Sequence, residues 1–198
     1  MIKKRSKLVY GVGVNDADYN VYEWLNGKIV NICPFYRTWS DMLKRCYSDK
    51  YQSKKPTYKG CLTCDDWWIF SNFKSWMGKQ DWEGKQLDKD LLIEGNKLYS
   101  PDSCIFVADV VNLFVTDRIN DQGDYMLGVS RRNKSNKYRA RCCNPFTSRR
   151  EHLGMFNTEL EAHLAWKSRK HELACLLADS EYCTDPRLAK ALRARYAN

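Results

Sequence analysis

Gly128-Val129-Ser130-Arg131-Arg132, Lys137-Tyr138-Arg139-Ala140-Arg141 and Leu153-Gly154-Met155-Phe156-Asn157-Thr158-Glu159-Leu160-Glu161-Ala162 decide how the last third of this chain folds. They read as three short strands carrying arginines, followed by one capped amphipathic helix. A strand shows alternate side chains on one face. Arg139 and Arg141 therefore project together, with Tyr138 and Ala140 on the other side. Arg131 or Arg132 on the preceding strand, and Arg149 or Arg150 in the turn, extend the patch. Thr158 and Glu161 form an S/T-x-x-E capping box, the signature of a helix start. The helix should run through about 158–177 and cover the sheet face opposite the arginines.

Charge singles out the same region. Residues 125–198 hold 15 Lys/Arg and 7 Asp/Glu, whereas residues 1–124 hold 18 and 17. Nearly all of the net charge of +9 thus sits in the last third. That asymmetry is the electrostatic footprint of a nucleic-acid-binding module. A small twisted sheet can enter the major groove with guanidinium groups bidentate to guanine, while other basic groups such as Lys137 contact phosphates. The bland alternative is a solvated edge.

At 198 residues, 43% hydrophobic and 13% aromatic, the chain has ample core material and room for two domains. No apolar run reaches the roughly 18–20 residues that span a bilayer. Met1-Ile2-Lys3-Lys4-Arg5 is basic but leads into no long apolar region, so no signal peptide is expected. The expectation is a cytoplasmic protein with no membrane partner. Nine cysteines, an odd number, argue against a disulfide framework in such a compartment. Cys46, Cys61, Cys64 and Cys104 are the candidates for a Zn²⁺ site, but only one C-x-x-C exists where zinc needs about four ligands. Buried structural thiols are the simpler reading.

Along the chain, 8–33 suggests a hairpin or short meander with turns at Asn15-Asp16 and Asn26-Gly27. Trp39, Met42, Leu43 and Cys46 recur at helical spacing and predict a helix over 36–47. Residues 48–60 read as a polar loop. Asp65 or Asp66 should cap a second helix reaching Met77. Residues 87–93 look like a strand, 94–97 a turn, 104–107 a returning strand and 108–115 a short helix. Asn120-Asp121-Gln122-Gly123-Asp124 is the expected linker, dividing 1–120 from 125–198. Asp185-Pro186 should open a last basic helix. Trp39, Trp67, Trp68, Trp76 and Trp82 are expected in the first core; stacking on bases is their alternative use.

A strand–turn–strand–helix with the carboxylates of Asp88 and Asp90 and the amide of Asn112 at its base can hold one Mg²⁺, a hard cation preferring oxygen. Such a metal would stabilise the leaving oxygen of a phosphodiester.

Two resemblances follow from these motifs. Gly128-Val129, Lys137-Tyr138-Arg139-Ala140 and Leu153 to Ala162 resemble the ethylene-response-factor (Apetala-type) DNA-binding domain over about fifty residues. That likeness implies a three-stranded sheet reading double-stranded DNA. Cys142-Cys143-Asn144-Pro145 departs from its pattern. Residues 36–114 carry Trp39-x-x-Met42-x-x-Arg45-Cys46-Tyr47, Cys64-x-x-Trp67, Phe70-x-x-Phe73, Leu87-Asp88-Lys89-Asp90, Gly95-Asn96-Lys97 and Tyr99-Ser100-Pro101-x-x-Cys104. This part is similar to bacteriophage homing endonucleases of the HNH (ββα-metal) type, some of which carry an Apetala-type module. The resemblance implies Asp88 and Asn112 as Mg²⁺ ligands. It also places Lys89 where the family has its water-activating histidine, and a lysine with an ordinary pKa near 10.4 is a poor base. Asp90, a depressed Lys89 or a metal-bound water would have to substitute.

The fold expected is therefore α+β, a degenerate ββα-metal domain followed by a three-stranded antiparallel sheet on one helix. The function expected is a phage-type endonuclease that finds its site through the C-terminal sheet. The alternative is an inactive DNA- or RNA-binding protein acting as a regulator or counter-defence factor. A weaker third reading makes the first domain a protein–protein adaptor.

Overall fold

Asn26 and Gly27 both take positive φ, 51° and 75°, and close a two-residue turn between β1 (Tyr22–Leu25) and β2 (Lys28–Ile32). Asn-Gly is the pair that adopts this turn with least strain. The computed structural model describes residues 7–116, 125–131 and 136–197. Within them the order continues α1 (Pro34–Tyr47), α2 (Asp49–Lys54), β3 (Leu62–Thr63), α3 (Phe70–Met77), β4 (Gln86–Asp88), β5 (Leu98–Tyr99), β6 (Ile105–Val107) and α4 (Asp109–Val115). After these come β7 (Val129–Arg131), β8 (Tyr138–Asn144), β9 (Arg149–Phe156), α5 (Glu159–Ala178) and α6 (Pro186–Arg195). The fold is mixed α+β.

Two compact units are present, Met1–Glu83 with Leu87–Phe106, and Gly84–Gln86 with Val107–Asn198. The division falls ahead of α4, whereas the polar stretch at 120–124 lies outside the described residues. No helix among the described residues is long and apolar enough to cross a membrane.

The first unit is built around α1. Its Trp39, Met42, Leu43 and Cys46 are buried against Trp67, Phe70, Phe73, Met77 and Tyr99. Trp39 Nε1 donates to the Trp67 carbonyl at 2.7 Å, so the one polar atom of that buried ring is satisfied. Trp68 alone of the expected core tryptophans stays substantially exposed, at 38%.

Three expectations fail here. Residues 48–60 are not an open loop: Ser48 accepts the Tyr51 N–H and caps α2, and a 3₁₀ turn covers Pro56–Tyr58. The helix expected from Asp65 or Asp66 to Met77 is two pieces, a 3₁₀ turn at Asp65–Trp68 and then α3. Ile69 between them is extended, because Val14 accepts the Phe70 N–H at 3.0 Å and donates to the Trp68 carbonyl at 2.7 Å. Asp16 supplies the cap from a distance, receiving the Ser71 N–H at 2.9 Å and its hydroxyl at 2.5 Å. The strand expected over 87–93 ends at Asp88, whose own carboxylate turns the chain.

In the second unit β7, β8 and β9 form an antiparallel sheet in that order. Val129, Ala140 and Ala162 make its buried centre, with Tyr138, Leu153 and Phe156 packed around them. Thr158 and Glu161 form the full capping box that opens α5. Asp185 caps α6, with Pro186 at its first position. Lys170 of α5 is buried. Its ammonium donates to the Phe114 carbonyl at 2.6 Å and sits 3.9 Å from the Phe114 ring centroid, with the rings of Trp166 and Tyr196 beside it. A charged group survives burial only when so surrounded.

Candidate nucleic-acid interface

Register decides which arginines share a face. Tyr138 pairs with Phe156, Arg139 with Met155 and Ala140 with Gly154, and then a bulge lets Arg141 pair with His152. Ala140 and Cys142 are buried toward α5, so Arg139, Arg141 and the exposed Cys143 point away from it. Cys143 pairs with Arg150, which brings Arg150 onto the same outer face, and His152 follows two residues on. Glu151, between them, turns inward and takes a two-pronged ion pair from Arg169 of α5 at 2.7 and 3.1 Å. That pair draws the Glu151 carboxyl down to about 2.

The outer face is unbalanced in charge. Arg139 Nε reaches the Ser130 hydroxyl at 3.3 Å, and no carboxylate among the described residues pairs with Arg139, Arg141 or Arg150. Arg141 Nε is buried with no hydrogen-bond partner. Burial, and then the charges of Arg139 and Arg150, lower the Arg141 pKa. An unpaired donor among like charges is costly unless a ligand completes it.

The other expected arginines do not join this face. Arg131 pairs with Tyr138 and shares its side, its guanidinium over the Tyr138 ring at 5.7 Å and donating to Asn136 at 3.2 Å. Alternation along β9 puts Arg149 on the Glu151 side. Lys137 is exposed one residue ahead of β8. Arg132 lies outside the described residues.

The central acidic segment is occupied with its own turn. Asp88 Oδ1 accepts the N–H of Asp90 at 3.0 Å and of Leu91 at 2.7 Å, which bends the chain and stops β4. Burial, reinforced by Asp90, raises the Asp88 pKa. Lys89 is 5% exposed; its ammonium donates to Asp90 Oδ2 at 2.9 Å and to the Asn96 carbonyl at 2.8 Å. Burial opposes that charge, but the Asp90 hydrogen bond and charge prevail and the pKa is raised. The shift runs opposite to that of a depressed base. Asn112 lies in the second unit, where its amide donates to Gln86 Oε1 at 2.8 Å; Gln86 in turn donates to Asp109 at 2.7 Å.

The chain matches no protein-family model, no curated protein and no solved structure.

Among the described residues no three His, Cys, Asp or Glu side chains form a group able to hold a metal. Cys46, Cys61 and Cys104 are buried, and Cys64 is half-buried. Burial pushes the Cys46 and Cys104 thiols up to about 12, which keeps them protonated. His152 and Cys143 complete the arginine face and were not anticipated. Alternation along β9 from Arg150 indicates His152, and the pairing of Arg150 with Cys143 settles which face both take.

Proposed function

We propose that this protein binds nucleic acid, double-stranded DNA first, through the outer face of β7–β8–β9. The observation that carries the reading is the group of three arginines on one sheet face with no carboxylate partner among the described residues. Phosphate oxygens docking on that face would neutralise them. Arg139, Arg141 and Arg150 are the primary contacts, with His152 and Ser130 beside them. The protein acts by occupying its target as a binding factor, since Lys89 is committed as a cation and Asp88 to a turn.

The test is a salt series of binding to a duplex. Arg139→Ala with Arg141→Ala should weaken binding and flatten the plot of log affinity against log salt. The slope should change by roughly 0.9 for each phosphate that is no longer neutralised. Arg149→Ala, on the other face, should change little. Equal weakening in both variants would remove the sheet-face reading. A single-stranded DNA and a structured RNA in the same series decide the partner.

One observation favours a second reading, metal-dependent cleavage by a degenerate ββα-metal domain. β4 (Gln86–Asp88) pairs with β6 (Ile105–Val107), with the short β5 between them in the chain, and α4 (Asp109–Val115) follows β6. Asp88 carries the oxygens that suit Mg²⁺, which would supply Lewis-acid stabilisation of a leaving oxygen. Mg²⁺- or Mn²⁺-dependent nicking of a plasmid that Asp88→Ala abolishes would establish it; equal, absent cleavage by both proteins rejects it.

A further inference from the structure

Residues 48–60, folded as α2 and the 3₁₀ turn at Pro56–Tyr58, carry Lys50, Lys54, Lys55 and Lys59 against a single carboxylate, Asp49. The contacts of α2 settle which of its sides faces α1. Gln52 Nε2 donates to the Arg45 and Cys46 carbonyls at 3.1 and 2.7 Å. The Tyr51 ring lies 5.2 Å from the Lys44 ammonium and 5.8 Å from the Tyr58 ring. Lys50, Ser53 and Lys54, at three- and four-residue spacing, form the opposite side and are exposed. Lys55 and Lys59 flank the 3₁₀ turn and are exposed too. Lys97, just ahead of β5, joins them by donating to the Thr57 carbonyl of that turn at 2.7 Å.

No carboxylate among the described residues pairs with any of these lysines. Asp49 sits in the first turn of α2, where the helix dipole favours a negative charge. An exposed concentration of one sign attracts the other. This surface differs in kind from the arginine face. Arginine offers a flat fork suited to two-point contacts, whereas lysine is a point charge on a flexible stem. Such charges follow phosphates and carry no sequence information. The outer side of α2 also lacks the apolar stripe with which an amphipathic helix enters a lipid surface.

We infer that the lysines of α2 and its following turn hold the sugar–phosphate backbone of nucleic acid without reading its bases. The first unit thereby has a contact surface of its own. Naming nucleic acid as the polyanion rests on the reading of the arginine face; the surface itself rests on α2 and its turn alone.

The test measures binding of the full chain to a mixed-sequence duplex over a salt series. One variant carries Lys50→Gln, Lys54→Gln, Lys55→Gln and Lys59→Gln. A control of equal charge carries Lys7→Gln, Lys28→Gln, Arg37→Gln and Lys79→Gln, exposed positions outside the surface. Both should keep the far-ultraviolet circular dichroism of the native chain, because every replaced side chain is exposed. The first variant should flatten the plot of log affinity against log salt by roughly 0.9 for each phosphate released. Its affinity at fixed salt should fall by about tenfold or more, and equally on a second, unrelated duplex. The control should keep the native slope. Added to Arg139→Ala with Arg141→Ala, the lysine changes should cost the same factor, as separate sites do. Equal slopes for lysine variant and control, or a loss confined to one duplex sequence, would overturn the inference. Leu62 and Leu98 are exposed on β3 and β5, so vesicles of phosphatidylserine and phosphatidylcholine are a further arm. A lysine variant that keeps its duplex slope but no longer sediments with those vesicles overturns the inference in favour of a membrane. If the lysine changes flatten the slope and Arg139→Ala with Arg141→Ala does not, the inference stands and the arginine-face reading falls.

Discussion

Gly128 and Trp166 compete for one volume: a Cβ on residue 128 would lie 2.0 Å from Cγ of the indole. Residue 128 also holds φ at +78°, which disfavours any side chain. The turn into β7 therefore closes directly onto α5, and Trp166 continues the packing to Tyr196 beyond α6. Gly128→Ala meets both a conformational cost of about 1–2 kcal/mol and an overpacking cost of about 1–3 kcal/mol. Denaturation should show a loss of about 2–5 kcal/mol. A change below about half a kcal/mol, the scatter of ordinary surface substitutions, would mean that Trp166 gives way freely.

Acid should loosen the same unit through Glu151. Its folded pKa is depressed to about 2 by Arg169 first and Asn144 next. A depressed carboxyl stabilises above its unfolded pKa, near 4.3, and loses that contribution as pH falls toward the folded value. Both partners are partly exposed, at 28% and 30%, so solvent holds the effect to about 1 kcal/mol. Stability measured from about pH 5 down to about pH 2 should fall more steeply for the native chain than for Glu151→Gln. Parallel curves would show that the pair contributes nothing.

What the sequence disclosed was local. Thr158 and Glu161 sit three apart and cap α5 wherever the helix goes, and Asn26-Gly27 closes its hairpin without help from elsewhere. Alternation separated Arg139 and Arg141 from Tyr138 and Ala140 for the same reason. The bulge after Ala140 is different, since it depends on which β9 residue answers Arg141, and so His152 and Arg150 were assigned only by the three-dimensional register. Arg131 lands on the Tyr138 side through the same pairing. Asp16 capping α3 from 55 residues away leaves no pattern in a short window. Lys89 is another such case: the sequence placed it where the resembled family has its histidine, whereas its bond to the Asn96 carbonyl, seven residues on, depends on how the turn folds back.

Lys89 should therefore behave as a structural residue. Lys89→Met removes an ammonium bonded to Asp90 and to the Asn96 carbonyl, and strands that carbonyl. A hydrogen bond to a charged group is worth about 1.5–3 kcal/mol. Half-exposed Asp90 is rehydrated on removal, which keeps the expected destabilisation near the lower end. Because the folded pKa is raised, the contribution is complete below the unfolded value near 10.4 and disappears as pH rises through the folded one. Nucleic-acid affinity at neutral pH should be unchanged in this variant. A stable Lys89→Met protein with diminished affinity would instead place Lys89 in the binding machinery.

Arg141 should show the opposite balance. Its Nε has no partner, and Arg139 and Arg150 repel its charge, so the folded chain gains little from the guanidinium. Arg141→Met keeps the aliphatic stem over the sheet and removes the repulsion and the orphaned donor. The free protein should gain about 0.5–1 kcal/mol, in the range of single relieved surface conflicts. Duplex affinity should fall by about tenfold, the equivalent of one charge-assisted hydrogen bond of about 1.4 kcal/mol. Stability and binding moving in opposite directions is the signature of a residue kept for a ligand, because a purely structural arginine would lower both together. If Arg141→Met destabilises the free chain, the unpaired Nε is not a cost carried for binding, and the arginine face loses its strongest argument.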